Sequence, residues 1–122
     1  MARISTHVLD TASGHPAAGI RVDLYRIRTS GRELCATVVT NADGRPPDPL
    51  LSGDRIATGV YELVFAAGDY IRANCAHSAG CAPAEPLFLD EIVVRFGVSE
   101  DAGNYHVPLL LAPYGYSTYR GS

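Results

Sequence analysis

Short runs of β-branched and aromatic residues, each closed by a turn-forming cluster, recur along the chain and constrain its fold more than any other feature. Arg21-Val22-Asp23-Leu24-Tyr25-Arg26-Ile27 alternates imperfectly between polar and apolar residues. Val60-Tyr61-Glu62-Leu63-Val64-Phe65 and Ile92-Val93-Val94-Arg95-Phe96 carry one charge each and read as half-buried to buried strands. Residues 4–9, 34–40, 105–111 and 114–119 add further extended candidates, for seven or eight strands in all. Turn chemistry comes from Gly14-His15-Pro16, Asn41-Ala42-Asp43-Gly44, Ser52-Gly53-Asp54 and Ala112-Pro113-Tyr114-Gly115. The pattern predicts an all-β, antiparallel sandwich of about eight strands with one short helix near residues 66–73.

A chain of 122 residues fits one domain, 1–122, and at this length folding hides roughly two-thirds of the unfolded surface, so a core forms without staples. Hydrophobic residues at 47% and charged residues at 19% place it with globular proteins. A net charge of -3 gives no general attraction to nucleic acid or anionic lipid, and no window approaches the roughly 18 apolar residues of a membrane span. The amino terminus lacks the apolar stretch of a secretory signal, which predicts a cytoplasmic location. Every basic side chain other than histidine is Arg, the residue whose planar fork suits carboxylates and other oxyanions, although a compositional bias of the genome produces the same usage. Cys35, Cys75 and Cys81 are too few and odd in number for a disulfide framework, which leaves a local Cys75–Cys81 pairing open.

Among residues able to do chemistry, His7 lies in the first strand on the same side as Ser5 and Leu9 by the period of two. A packed strand histidine is the ordinary reading of such a residue. His106 sits two residues before Pro108, which removes a backbone donor and predicts an edge strand or an interrupted ladder. Arg45 follows a turn, where a solvated arginine is the usual finding. Cys75, His77 and Cys81 have neither the spacing of a zinc pair nor an evident fourth ligand, so no metal is expected.

Taken in order along the chain, these pieces resemble the transthyretin-like family, in its 5-hydroxyisourate hydrolase branch. Ile4-Ser5-Thr6-His7-Val8-Leu9-Asp10-Thr11, followed by Gly14, Pro16 and Ala17, is similar to the family's amino-terminal signature. Thr40-Asn41 through Asp43-Gly44-Arg45 resembles its central motif, and Gly59-Val60-Tyr61-Glu62-Leu63 the strand that follows. The ending, Tyr105-His106-Val107-Pro108 through Tyr119-Arg120-Gly121-Ser122, is the most specific part, because its last four residues look like the tetrapeptide that separates the hydrolases from the thyroid-hormone carriers. Ala112 stands where the family has Ser, and the loop containing Cys75 and Cys81 is longer than usual.

The resemblance implies a transthyretin-like sandwich that hydrolyses 5-hydroxyisourate to 2-oxo-4-hydroxy-4-carboxy-5-ureidoimidazoline in urate degradation. It places the catalytic residues on His7, Arg45 and His106 and the substrate-binding tail on Tyr119, Arg120, Gly121 and Ser122. Ring opening of an amide-like bond needs an activated water and a stabilised oxyanion, and no metal or organic cofactor. The resemblance further implies a homotetramer, a dimer of dimers with sites in the cleft between dimers, acting on a small molecule. The rival reading is a carrier of the same fold whose channel binds a small ligand without catalysis. A carrier channel is mostly apolar, so convergent titratable residues argue against that rival.

Overall fold

A computed structural model describes residues 1–75 and 85–122. Two sheets face each other across one core. The first is ordered β2 (His15–Pro16), β1 (Ala2–Asp10), β8 (Asn104–Ala112), β9 (Gly115–Thr118), with β5 (Leu51–Gly53) also paired to β1. The second is ordered β4 (Gly31–Val39), β3 (Arg21–Arg28), β6 (Gly59–Ala66), β7 (Glu91–Val98). A single described helix, α1 (Ala67–Cys75), leaves the end of β6 and carries Asp69 in its first turn and Arg72 in its last, the signs that suit the helix dipole.

Alternation decides which side chains are buried. In β1, Ala2, Ile4, Thr6 and Val8 are buried, whereas Arg3, Ser5, His7 and Leu9 face outward. In β8, Tyr105, Val107, Leu109 and Leu111 join the core while His106 and Leu110 are half-buried on the outer face. Opposite them stand Val22, Leu24, Tyr61, Leu63, Phe65, Ile92 and Val94. Truncating a fully buried leucine such as Leu109 to Ala therefore costs about 2–5 kcal/mol, the transfer loss plus the cavity left behind. The one hydroxyl in the buried row of β1, Thr6 Oγ1, donates to the Val107 carbonyl at 2.7 Å and so carries no unpaired penalty.

The expected strands and helix are present, with two differences. The sandwich is not wholly antiparallel, because β1 and β8 run parallel from Arg3↔Asn104 to Asp10↔Leu111. These strands lie at opposite ends of the chain and no hairpin dictates their direction. In addition, His15-Pro16 and Ser52-Gly53, read as turn residues, belong to two small strands, β2 and β5, that share the free edge of β1. The side chains of the Cys75–Cys81 pairing and of the Cys75, His77, Cys81 set lie outside the described residues.

Candidate active site

The parallel register of β1 and β8 makes Ser5 and His106 direct neighbours and puts His7 beside Pro108. Both histidines are thereby carried on the outer face of the same two strands, 99 positions apart in sequence. Ser5 Oγ and His106 Nδ1 are 2.8 Å apart, and among the described residues Nε2 of that ring has no hydrogen-bonding partner. Pro108 sits in an interior strand, and the interrupted ladder expected of it is present on the β9 side. Thr118 stands opposite Leu109 and Gly121 opposite His106, so Tyr119 and Arg120 are left against Pro108, whose carbonyl accepts from Thr118 Oγ1 at 2.8 Å.

Arg45 reaches this face through a turn that only glycine closes. Asn41 Oδ1 accepts from the Asp43 and Arg45 amides at 2.9 and 3.3 Å, and the Gly44 amide donates to the Asn41 carbonyl at 2.9 Å. Gly44 then adopts φ +74° and passes its carbonyl to the Val8 amide at 2.8 Å. A Cβ at this position would run into the Val8 carbonyl as well as occupying a left-handed conformation. The same turn lies beside His7, where the Asp43 backbone exerts a minor upward pull on the pKa of the ring.

The electrostatics follow from this gathering. Burial lowers the pKa of His7 below its ordinary 6.5, and the Arg45 cation lowers it further against a smaller opposing pull from Asp43. Burial also lowers that of His106, followed by repulsion from Arg45, His7 and Arg3. Both imidazoles are thus held toward the neutral form, which accepts a proton from water. Neither Arg3 nor Arg45 forms an ion pair among the described residues.

A cleft of about 290 Å³ opens here, lined by Arg3, Ser5, Arg45, His106 and Ser122 among others, with Pro46, Pro47 and Pro49 along one wall. His7 is not among its lining residues, yet it is close enough to repel His106. The carboxyl-terminal residues divide. Gly121 donates its amide to the His106 carbonyl at 2.7 Å, and Ser122 reaches the cleft. The Arg120 guanidinium instead lies 4.3 Å over the Tyr105 ring and donates to the Asn104 carbonyl at 3.1 Å, while Tyr119 is 57% exposed outside the cleft. Sequence reasoning missed Arg3 and Ser5 as members of this site. The period of two put Ser5 on the side of His7, but nothing local foretold its pairing with His106.

Residues 4–121 match the family described as HIUase/Transthyretin. A protein of Rhizobium meliloti named 5-hydroxyisourate hydrolase 2 is 56% identical over 120 residues, covering 98% of this chain and 96% of that protein. The structure of Klebsiella pneumoniae 5-hydroxyisourate hydrolase superposes with a TM-score of 0.77 at 34% identity, covering 100% of both chains. The crystal structure of (S)-allantoin synthase superposes with a TM-score of 0.87 at 39% identity, and there the chain covers 99% of its own length but 44% of the other's. The two-sheet sandwich with titratable side chains on one outer face is therefore of the transthyretin type. The chain belongs to the HIUase/transthyretin family.

Proposed function

We propose that this chain is a single-domain hydrolase that opens the ring of 5-hydroxyisourate by adding water to its amide-like carbonyl, as part of urate degradation. The observation that carries the reading is the convergence of His7, Arg45 and His106, from three distant segments, on one open face. A neutral imidazole of the His7/His106 pair takes a proton from water as its oxygen attacks the carbonyl. The resulting imidazolium returns that proton to the ring nitrogen as the carbon–nitrogen bond breaks. Proton transfer of this kind is typically worth about 10²- to 10⁴-fold. Arg45 offsets the negative charge that develops on the carbonyl oxygen, and Ser122, which lines the cleft, contributes polar contacts. Arg120, stacked on Tyr105, anchors the tail that carries Gly121 and Ser122.

A homotetramer with sites completed between dimers belongs to the same proposal. Its support is that the cleft is open on the outer face, that β9 is an edge strand with all four residues exposed, and that Tyr114, Tyr116 and Tyr119 leave large aromatic surface around it. A cytoplasmic location is proposed with it; no described helix is long and apolar enough to cross a membrane. Against the carrier reading, the cleft on this face is lined by His106 and by Arg3 and Arg45, two arginines without counterions among the described residues, which an apolar ligand would have to desolvate.

The test is to form 5-hydroxyisourate in place from urate with urate oxidase and follow the loss of its near-ultraviolet absorbance. Wild-type protein is expected to accelerate decay well beyond buffer, and His106→Ala to lose most of that acceleration. Decay at the buffer rate with wild-type protein would replace the hydrolase reading with the carrier.

A further inference from the structure

The His106 ring is gripped at two of its edges by groups with no other evident task. On one side Ser5 Oγ stands 2.8 Å from Nδ1, and no other hydrogen bond of this hydroxyl occurs among the described residues. On the other, Gly121 lies so close that a Cβ there would fall 2.6 Å from His106 Cδ2 and 3.4 Å from both His106 Cγ and Pro108 Cγ. The Gly121 amide is also bonded to the His106 carbonyl, which fixes the tail against this strand. Nε2 has no hydrogen-bonding partner among the described residues, and His106 lines the cleft. Because Ser5 and His106 are Cα partners in a ladder that runs the length of β1, their separation is set by the most regular part of the sheet.

We infer that Ser5 is a positioning residue for the reaction: its hydroxyl, opposed by Gly121, holds the His106 ring so that Nε2 is the nitrogen presented to the substrate. This rests on the hydrolase reading above. A histidine free to turn about its side-chain torsions spends part of its time with the wrong nitrogen, or the wrong tautomer, at the reacting atoms. In the assigned role Ser5 Oγ accepts from Nδ1–H, which leaves the lone pair on Nε2, and the bond persists when Nε2 takes up a proton because Nδ1 keeps its own. A carboxylate at this place would instead pin the charged form. The charged and titratable groups facing His106 are Arg45, His7 and Arg3, all of which disfavour that form.

The experiment compares wild type with Ser5→Ala and Ser5→Thr in the absorbance assay, and reads the His106 ring nitrogens by NMR across pH. Ser5→Ala is expected to lower kcat by about 10- to 100-fold with KM nearly unchanged, part of the general acid–base contribution, while Ser5→Thr recovers most of it. In the same Ala variant the ¹⁵N shifts of His106 should move toward an unbiased mixture of tautomers, with the thermal midpoint little changed. Wild-type kcat in Ser5→Ala would overturn the inference. So would a loss of rate that Thr does not rescue or that leaves the nitrogen shifts where they were, since either marks a merely structural serine. If wild-type protein proves inactive on 5-hydroxyisourate, the hydrolase reading falls, and the nitrogen spectra alone still decide whether Ser5 sets this ring.

Discussion

The two sheets treat their charges in opposite ways. On the four-stranded sheet, Glu62 is met by Arg95 at 2.8 Å and by Arg32 at 3.9 Å, and Arg32 also lies 4.1 Å over the Tyr25 ring. Asp23 accepts from Thr37 at 2.8 Å and faces Arg21 at 3.7 Å, and Arg28 pairs with Glu33 at 3.1 Å. On the five-stranded sheet, Arg3 and Arg45 have no counterion among the described residues, and two histidines are pushed toward neutrality beside them. Compensated charges on an outer face serve the fold and add little. Uncompensated cations around neutral bases cost stability and make sense where an oxyanion is to be received. Charge pairing therefore separates the face around His106 from the ion-paired face around Glu62.

If that contrast is right, mutations on the two faces should separate rate from stability. The largest effect is expected from His106→Ala, which should lower kcat/KM for 5-hydroxyisourate by about 10²- to 10⁴-fold while leaving the thermal midpoint nearly in place. A variant that keeps its rate would remove His106 from the chemistry.

Arg45→Ala comes next, with a loss of about 10²- to 10³-fold, the range for one group that stabilises a developing oxyanion. It also carries a signature in pH. Arg45 is the second cause, after burial, of the lowered pKa of both histidines. Its removal should move the acid limb of the rate profile to higher pH, toward but not up to the ordinary histidine value. The shift should shrink at high salt, as expected for partly exposed charges. An acid limb that stays in place would mean that neither histidine controls it.

On the other sheet, Glu62→Gln should leave the rate untouched and cost roughly 0.5–1 kcal/mol of stability in a denaturant titration. The Glu62 side chain is 11% exposed, but both arginine partners are half or more in water, so screening discounts the pair heavily. A large fall in rate here would erase the distinction between the faces.

Much of this arrangement is legible in the sequence, and the parts that are not have a common cause. The period of two in β1 declares both the strand and the side on which His7 projects, whereas β8 is declared by its apolar run and Pro108 without fixing the side of His106. The Asn41 to Arg45 turn is readable from its Asn, Asp and Gly. The parallel pairing of β1 with β8 is invisible locally, since it depends on which strands meet across 100 residues of chain. With it go the Ser5–His106 bond and the place of Arg3. His15-Pro16 and Ser52-Gly53 read as turns because so few residues carry no periodicity, and only the edge of β1 makes them parts of strands. Arg120, expected at the substrate, lies over the ring of Tyr105, which the Ser99 and Glu100 amides hold at 3.1 and 3.0 Å, a placement no local pattern foretells.

The smallest effect concerns stability against pH. His7 and His106 have folded-state pKa values below the 6.5 of an unfolded chain. As pH falls through 6.5 the unfolded state takes up protons first, so it binds more protons than the folded state and stability declines. The decline starts near the unfolded value, continues until the lowered folded values are reached, and stops below them. Above about 6.5 both states are neutral at these positions and the two histidines contribute no pH dependence. Thermal midpoints of wild type and His106→Ala, taken at neutral pH and near pH 5, isolate the effect, because carboxylates common to both proteins cancel in the difference. Wild type should lose more on acidification than the variant. An equal loss would mean that the ring of His106 is no harder to protonate in the fold than out of it, and the cleft would then lack the neutral base that its unpaired arginines are arranged to protect.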